Sequence, residues 1–225
     1  MLEALTAPGW AAGQWQMLRP MLLGSVVSLE VFALTLVLSI PMSIPIAFGR
    51  MSKWAPLRHL VNAYLLVMRG TPLILQILFA YFAPYYVLGA SVYTRFAAVI
   101  VAFVLNYAAY FAEIFRGGIE SIPRGQREAA QVLGFTPVQT FFRIVLPQVV
   151  KRTLPAVANE VITLVKDTAL AQTIGVAELF RAAQTISAVR FSVVPIFVAG
   201  AFYFLMNGVV SMVFNHLERR LSYYS

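Results

Sequence analysis

Ionisable and amide side chains inside otherwise apolar stretches are the residues of this chain that could do chemistry. Asn159 and Glu160 lie between Ala158 and Val161, and Arg69-Gly70-Thr71-Pro72 interrupts a second apolar stretch. Such groups are rare at membrane depth and usually face a cavity or pair with one another. A carboxylate can receive an amino group, and a broken helix can hold the charged ends of a zwitterion. The pattern predicts non-covalent binding of a small zwitterion, although Glu160 would equally suit a buried pair with Arg69 or Lys166.

Two further charged groups have simpler interpretations. Glu113 and Arg116 stand three residues apart, a spacing that places them side by side on a helix. We interpret them as a structural pair near the end of a span. Lys166-Asp167-Thr168 is typical of an interfacial cap, in which Asp167 could N-cap the following segment.

The sequence contains few residues that could catalyse a reaction or bind a cofactor. Cysteine is absent, so disulfides and thiol-ligated metals are excluded. His59 and His216 stand beside basic residues at predicted span ends, where solvated flanks are commoner than ligands. The phosphate-binding pattern GxxxxGK[ST] does not occur. We therefore expect no enzymatic activity, no metal site and no cofactor in this chain.

The elements that position these groups are predicted to be membrane helices. Hydrophobic residues make up 60% of the chain and charged residues only 12%, about half the share usual in soluble domains. Uncharged runs occupy residues 31–48, 96–112 and 191–215. Runs of about 18 residues can cross about 30 Å of hydrocarbon as a helix. The predicted fold class is an all-α polytopic membrane protein.

We predict five spans in one domain, residues 22–217. An N-terminal interfacial segment, 1–21, precedes them and a cytoplasmic tail, 218–225, follows. The second span is broken at residues 69–72, and a long loop, 116–146, separates the third span from the fourth. The spans cover about residues 22–48, 57–88, 95–115, 147–165 and 191–217.

Lysine and arginine predict the orientation. The first loop, the 116–146 loop with the start of the fourth span, and the tail carry most of them. With five spans these segments share one side, which the positive-inside rule assigns to the cytoplasm. The N-terminus is then outside and the C-terminus inside. The same rule explains the net charge of +8 without a nucleic-acid partner.

The sequence of the 116–146 loop predicts two short helices. Pro123 suits a first helical turn and Gly134 a left-handed stop. Thr136-Pro137-Val138-Gln139 then combines an N-cap, a proline at the first helical position and a capping-box glutamine. Ala129 and Ala130 leave one face of the first helix small beside Glu128, so that this helix can insert into a groove of a partner protein.

At this point the sequence resembles a known family. Glu128-Ala129-Ala130, then Gly134, then Ile144 and Leu146-Pro147 reproduce the cytoplasmic loop signature of ATP-binding-cassette (ABC) importer permeases. The segments 69–76, 109–119 and 164–170 are similar to signatures of the polar amino acid branch, which more often has Ser where this chain has Ala169.

The resemblance covers about residues 20–217 and implies a type I ABC importer permease of the bacterial inner membrane. It implies a pair of permease subunits, identical or not, two cytoplasmic ATPase subunits that use ATP and Mg, and an extracytoplasmic binding protein. It also implies a gate or substrate-lining role for Asp167 and Thr168, and an ATPase-coupling role for the helix from Glu128 to Gly134.

The predicted function is uptake of a polar or basic amino acid. Glu160 favours a cationic substrate, but a neutral one fits nearly as well. A stand-alone secondary carrier or channel is the alternative, and it would need no ATPase. The absence of an internal repeat disfavours it, since many carriers contain two related halves.

Overall fold

The computed structural model describes residues 10–89 and 93–221, in which every regular element is helical. Within these two ranges nine α-helices follow one another, with a π-helical turn at Phe141–Val145 and a 3-10 helix at Thr168–Ile174. They are α1 Trp10–Arg50, α2 Ala55–Gly70, α3 Leu73–Leu88, α4 Arg95–Glu120, α5 Arg124–Val132, α6 Pro137–Thr140, α7 Leu146–Asp167, α8 Leu179–Arg190 and α9 Val194–Leu221.

Three of these helices are long and apolar enough to cross a membrane. They are α1 from Gln14, α4 and α9, and α2 with α3 adds a fourth candidate if that pair, bent by 110°, forms one span. The polytopic helical prediction is therefore supported. The predicted fourth span, residues 147–165, lies in α7, which is not among these candidates.

The break inside the predicted second span follows from local chemistry. A residue before proline is pushed out of the helical region, and Thr71 before Pro72 is extended at φ −119° and ψ 146°. Helix α2 accordingly ends at Gly70 and α3 begins at Leu73. The predicted break at residues 69–72 is confirmed.

The first helix is longer than the first predicted span. It runs without interruption from Trp10 to Arg50, so residues 10–21 continue directly into the span instead of forming a separate element. Residues 1–9 of the predicted interfacial segment lie outside the described residues.

Chain contacts divide the molecule into two compact units. The first comprises Met1–Leu34, Ile74–Val101 and Leu164–Gly208. Its core joins α1, α8 and α9 through Met17, Met21, Leu179, Ala183 and Ala199.

The second unit comprises Thr35–Leu73, Ala102–Thr163 and Val209–Ser225. One cluster packs α1 and α2 on α4 through Ala47, Leu65, Ala109 and Ala112. Another packs Ile122, which follows α4, against Val145 and Val149. The second cluster packs the segment after α4 against the start of α7.

Candidate substrate path and coupling loop

Arg69, the penultimate residue of α2, lies in a network of charges. Its Nη1 is 3.6 Å from Glu113 Oε2, and its guanidinium carbon is 5.5 Å from the centre of the Tyr110 ring. Arg69 and Gly70 line a cavity of about 520 Å³ whose other walls are Arg50, Asn62, Leu65, Leu66 and Glu113. A broken helix is tolerated at membrane depth where it lines such a cavity.

The donors next to the break are already engaged. The Thr71 backbone N–H donates to the Val67 carbonyl at 3.1 Å, and its hydroxyl donates to the same oxygen at 2.8 Å. Asn106 of α4 donates from Nδ2 to the Met68 carbonyl at 2.9 Å, a hydrogen bond between α4 and α2. A zwitterion at this break would have to displace the Thr71 bonds or use Arg69.

Glu113 is the centre of the charge network. Arg116 Nε lies 3.1 Å from Oε1 and Nη2 lies 2.9 Å from Oε2, a bidentate pair. Arg50 Nε approaches Oε1 at 3.6 Å, and Arg116 Nη1 also reaches Glu120 at 2.5 Å. The predicted partners are therefore in contact, and the structure adds Arg50 and Arg69, which sequence spacing does not reveal.

Asn159 and Glu160 lie in the second half of α7, beyond Pro155. The Asn159 side chain is exposed and that of Glu160 is half-buried. They belong to the same unit as Arg69, Gly70 and Thr71, whereas Asp167 and Thr168 belong to the other unit.

Lys166, Asp167 and Thr168 mark the end of α7. Asp167 is its last residue, and the 3-10 helix begins at Thr168. The Asp167 side chain makes no capping hydrogen bond to that helix, so the suggestion that Asp167 is an N-cap was wrong. Asp167 keeps helical backbone angles, which differ from the extended angles of a capping residue. Thr168 is buried and its hydroxyl donates to the Val165 carbonyl at 2.8 Å.

Sequence reasoning missed Glu178. This residue is fully buried and immediately precedes α8. Its carboxylate accepts hydrogen bonds from the backbone N–H groups of Phe180 and Arg181, each at 2.7 Å. Burial raises the pKa of this carboxyl above its usual range, against the effect of its hydrogen bonds. The only signal in the sequence was an acidic residue in an otherwise apolar stretch, 174–180.

The two short helices of the 116–146 loop lie where the sequence predicts them, whereas α4 extends to Glu120 and a π-helical turn occupies Phe141–Val145. Helix α5 spans Arg124–Val132, and Gly134 follows it with φ +81°. Phe135 N–H bonds to the Ala130 carbonyl at 3.0 Å, the closure of a Schellman motif. Thr136 and Gln139 form both bonds of the capping box that starts α6. Both predicted helices and the glycine turn are confirmed.

Side chains tie α5 to its neighbours. Gln148 Nε2 of α7 donates to Gln126 Oε1 at 2.5 Å, and Arg127 Nη2 donates to the Ile119 carbonyl at 3.1 Å. Ala130 of α5 is buried, whereas Glu128 and Ala129 are exposed. Helix α5 is thus a fixed element on the second unit.

The outer face of this region carries apolar side chains that the sequence analysis did not single out. Val132 is 88% exposed and Leu133 is 74% exposed. Both side chains are accessible at the end of α5 and the turn that follows it.

Comparisons with known proteins agree with this geometry. The family model described as "Binding-protein-dependent transport system inner membrane component" matches residues 36–223. The L-cystine transport system permease protein TcyB of Bacillus subtilis is 38% identical over 224 residues, 97% of this chain and 94% of that protein. The arginine transport system permease protein ArtQ of Bacillus subtilis is 33% identical over 199 residues, 88% and 90% of the two chains.

Solved structures show the same fold. A crystal structure of an amino acid ABC transporter with histidines superposes with a TM-score of 0.84 at 32% identity, over 95% of this chain and 99% of that one. The MetNI methionine ABC transporter superposes with a TM-score of 0.72 at 18% identity, over 94% and 98% of the chains. The second match supports the fold alone.

The loop signature, its folded helices and the family match along most of the chain lead to one conclusion. This protein belongs to the family of binding-protein-dependent transport system inner membrane components.

Proposed function

We propose that this chain is the permease subunit of an ABC importer for a polar or basic amino acid in the bacterial inner membrane. It forms the translocation path, and a separate cytoplasmic ATPase dimer uses ATP and Mg. An extracytoplasmic binding protein delivers the substrate, and a second permease subunit, identical or not, completes the path.

The structure of the 116–146 loop, called the coupling loop from here on, is the observation that carries this proposal. Helix α5 is stopped by Gly134 and tied to α4 and α7, and it exposes Val132 at its last residue and Leu133 just beyond. Coupling between subunits needs a stiff element that transmits motion between two arrangements. A helix that is tied to α4 and α7 near its start and closed by a glycine turn at its end meets that need, and its exposed face is available to the ATPase.

The topology in this proposal has five spans, with the N-terminus outside and the C-terminus in the cytoplasm. Helix α7 is the span that apolarity alone does not identify. Its charges and amides would face the path or neighbouring helices, which is where such groups are tolerated within a bilayer.

Substrate contacts are assigned to Arg69, Gly70, Thr71, Asn159, Glu160, Asp167 and Thr168. The relative named for arginine transport supports an amino acid with a polar or cationic side chain. A carboxylate such as that of Glu160 would receive the positive charge of the substrate.

The test is purification of the tagged chain from mild detergent, followed by uptake measurements in proteoliposomes. We expect an ATPase to co-purify and uptake of labelled arginine, glutamine or cystine to require ATP and a binding protein. Recovery of this chain alone, with uptake driven by an ion gradient and no ATP, would establish the stand-alone carrier instead.

A further inference from the structure

An apolar groove lies where the coupling loop joins the long helices. It is a cavity of about 620 Å³ between residues 44–48 of α1, 115–119 of α4, 137–142 and 146–153 of α7. All four segments belong to the second unit. Sites for small molecules usually have volumes of about 300–1,000 Å³, so the groove is large enough to hold a ligand.

The lining of the groove offers no polar side chain to a ligand. Among the described residues that line it, only Thr153 has a polar side chain, and its hydroxyl donates to the Val149 carbonyl at 2.9 Å. Phe48 and Phe141 add aromatic rings whose centres are 5.9 Å apart. A zwitterion or a nucleotide would lose its hydrogen bonds to water there without replacing them. Hydrocarbon is the chemistry that fits this lining.

The groove is open to the surroundings of the protein. Its lining is buried at Val149, which is 4% exposed, whereas Phe142 is 61% exposed and Val138 is 66% exposed. Along α7 the groove extends over residues 146–153, about 10 Å at the rise of an α-helix. An elongated apolar groove of this kind suits a flexible hydrocarbon chain.

Charged neighbours place the groove at the boundary of the bilayer. Phe48 stands two residues before Arg50, which ends α1, and Phe115 directly precedes Arg116 on α4. Long charged side chains near span ends extend to the level of the lipid head groups. In the orientation proposed above, these ends lie at the cytoplasmic boundary.

Two of the segments that form the groove carry positive charge only. Residues 41–58 and 137–159 contain lysines and arginines but no aspartate or glutamate. Arg143 and Lys151 each directly follow a residue that lines the groove. Neither forms an ion pair with a carboxylate among the residues that the structure describes. An anionic group next to the groove would therefore meet cations that no internal carboxylate neutralises.

This charge indicates which molecule occupies the groove. Anionic lipids attract basic segments at the cytoplasmic surface, and basic pockets between transmembrane helices bind anionic head groups. A second copy of the chain is a poorer fit, because a twofold interface brings identical surfaces together. The cations of both copies would then face one another, and like charges in contact are unfavourable.

We propose that the groove binds an acyl chain of an anionic phospholipid of the cytoplasmic leaflet, with the phosphate beside Arg143 and Lys151. This inference goes beyond the proposed function and uses only its membrane orientation. The bound acyl chain lies between the end of the coupling loop on one side and α1 with α4 on the other. It fills the joint between the coupling loop and the long helices.

Photo-cross-linking tests the position and the charge preference of this lipid. The full chain is purified in mild detergent with the subunits that accompany it. It is irradiated with a small molar amount of phosphatidylglycerol that carries a diazirine in its acyl chain, and the labelled peptides are identified by mass spectrometry. We expect the label to concentrate in residues 137–153. Unlabelled phosphatidylglycerol should displace the probe more effectively than phosphatidylcholine.

Variants in the groove test the site of the acyl chain. Val150→Trp places an indole in the groove and should abolish labelling of residues 137–153. Val209→Trp makes the same change on α9 at a side chain that is 57% exposed, and it should leave this labelling unchanged. Val138→Trp, on α6, replaces Val150→Trp if thermal unfolding shows that the latter does not fold.

Charge variants test the site of the phosphate. Arg143→Gln and Lys151→Gln should each weaken the binding of phosphatidylglycerol about fivefold, the equivalent of about 1 kcal/mol for each cation near anionic lipid, and leave phosphatidylcholine unaffected. Arg124→Gln makes the same change at an exposed arginine of the coupling loop that follows no residue of the groove. It should bind phosphatidylglycerol as the wild type does.

Three results would overturn this inference. One is a label that is spread over the chain or that phosphatidylcholine displaces equally well. Another is unchanged labelling in Val150→Trp together with loss of a second copy or of the ATPase, which would identify a protein as the occupant. The third is wild-type affinity for phosphatidylglycerol in both charge variants. None of these readouts requires transport, so failure of ATP-dependent uptake and failure of lipid binding are distinguished.

Discussion

Glu113 is the residue at which several guanidinium groups meet. Arg116 binds it bidentately, while Arg50 and Arg69 stand 3.6 Å away. Its side chain is 16% exposed, so solvent screens its ion pairs less than those of an exposed surface pair. Removing the carboxylate leaves three cations facing one another.

Glu113→Gln should therefore lower the stability of the permease. We expect a loss of about 2 kcal/mol, the scale of hydrogen bonds to charged groups, measured as a lower thermal unfolding midpoint in detergent. Glu120→Gln is the matched control, because Glu120 also contacts Arg116 but its side chain is 53% exposed. Equal midpoints for the two variants would remove the central role of Glu113.

Glu160 is the residue whose role depends most on the substrate. If its carboxylate binds the substrate amino group, Glu160→Gln should reduce uptake about tenfold, the equivalent of about 1.4 kcal/mol, while the ATPase still co-purifies. If Glu160 only forms a structural pair, uptake by the assembled complex keeps its wild-type half-saturating concentration. Measuring uptake in proteoliposomes loaded with ATP separates the two roles.

Among the elements, the coupling loop owes its shape to one backbone angle. Gly134 adopts φ +81°, where a residue with a side chain pays about 1–2 kcal/mol. We expect Gly134→Val to release the ATPase or to uncouple ATP hydrolysis from uptake, because the turn after α5 would reorganise.

Gly125→Val is the control for Gly134→Val. Gly125 lies inside α5, and a Cβ there meets nothing within 4 Å. Helicity of the loop should survive this change. Retention of coupled transport by Gly134→Val would remove the docking role of the loop.

The contact between α4 and α7 depends on a second glycine. A Cβ at Gly118 would lie 2.3 Å from Thr153 Cγ2 and 3.1 Å from Val149 Cγ1, whereas a Cβ at neighbouring Gly117 meets nothing within 4 Å. Gly118→Ala should therefore destabilise the protein by about 1–3 kcal/mol through overpacking. Gly117→Ala should be neutral or stabilising, and thermal unfolding of the two variants compares them directly.

For the whole molecule, the orientation is the property that decides on which side each partner binds. The chain contains no cysteine, so a thiol reagent labels a single-cysteine variant only at the introduced residue. Val193→Cys lies between α8 and α9 at a position with 64% exposure, and Lys53→Cys lies between α1 and α2.

A membrane-impermeant maleimide applied to the periplasmic side should label Val193→Cys. It should label Lys53→Cys only after the membrane has been permeabilised. This follows from the lysine and arginine excess of the first loop. The reverse pattern would overturn the proposed orientation and place α5 on the wrong side for an ATPase.

The sequence by itself determined the features that depend on neighbours along the chain. Thr71 before Pro72 ends α2, Gly134 ends the turn after α5, and Thr136 with Gln139 starts α6. Each depends on steric or hydrogen-bonding preferences within a few residues, so local reasoning suffices. Long uncharged runs likewise predicted membrane helices, because hydrocarbon thickness sets a minimum length.

Only the tertiary structure decided which distant groups meet. Arg69 lies beside Glu113 and Tyr110, a pairing that its position in the sequence did not indicate. Glu178 meets Tyr203 and Ser28, which are 25 and 150 residues away in sequence. Spacing along one helix identifies pairs such as Glu113 and Arg116, but it carries no information about which other helix packs alongside. Those pairings arise from packing between helices, and one sequence does not reveal them because many helix arrangements satisfy the same local preferences.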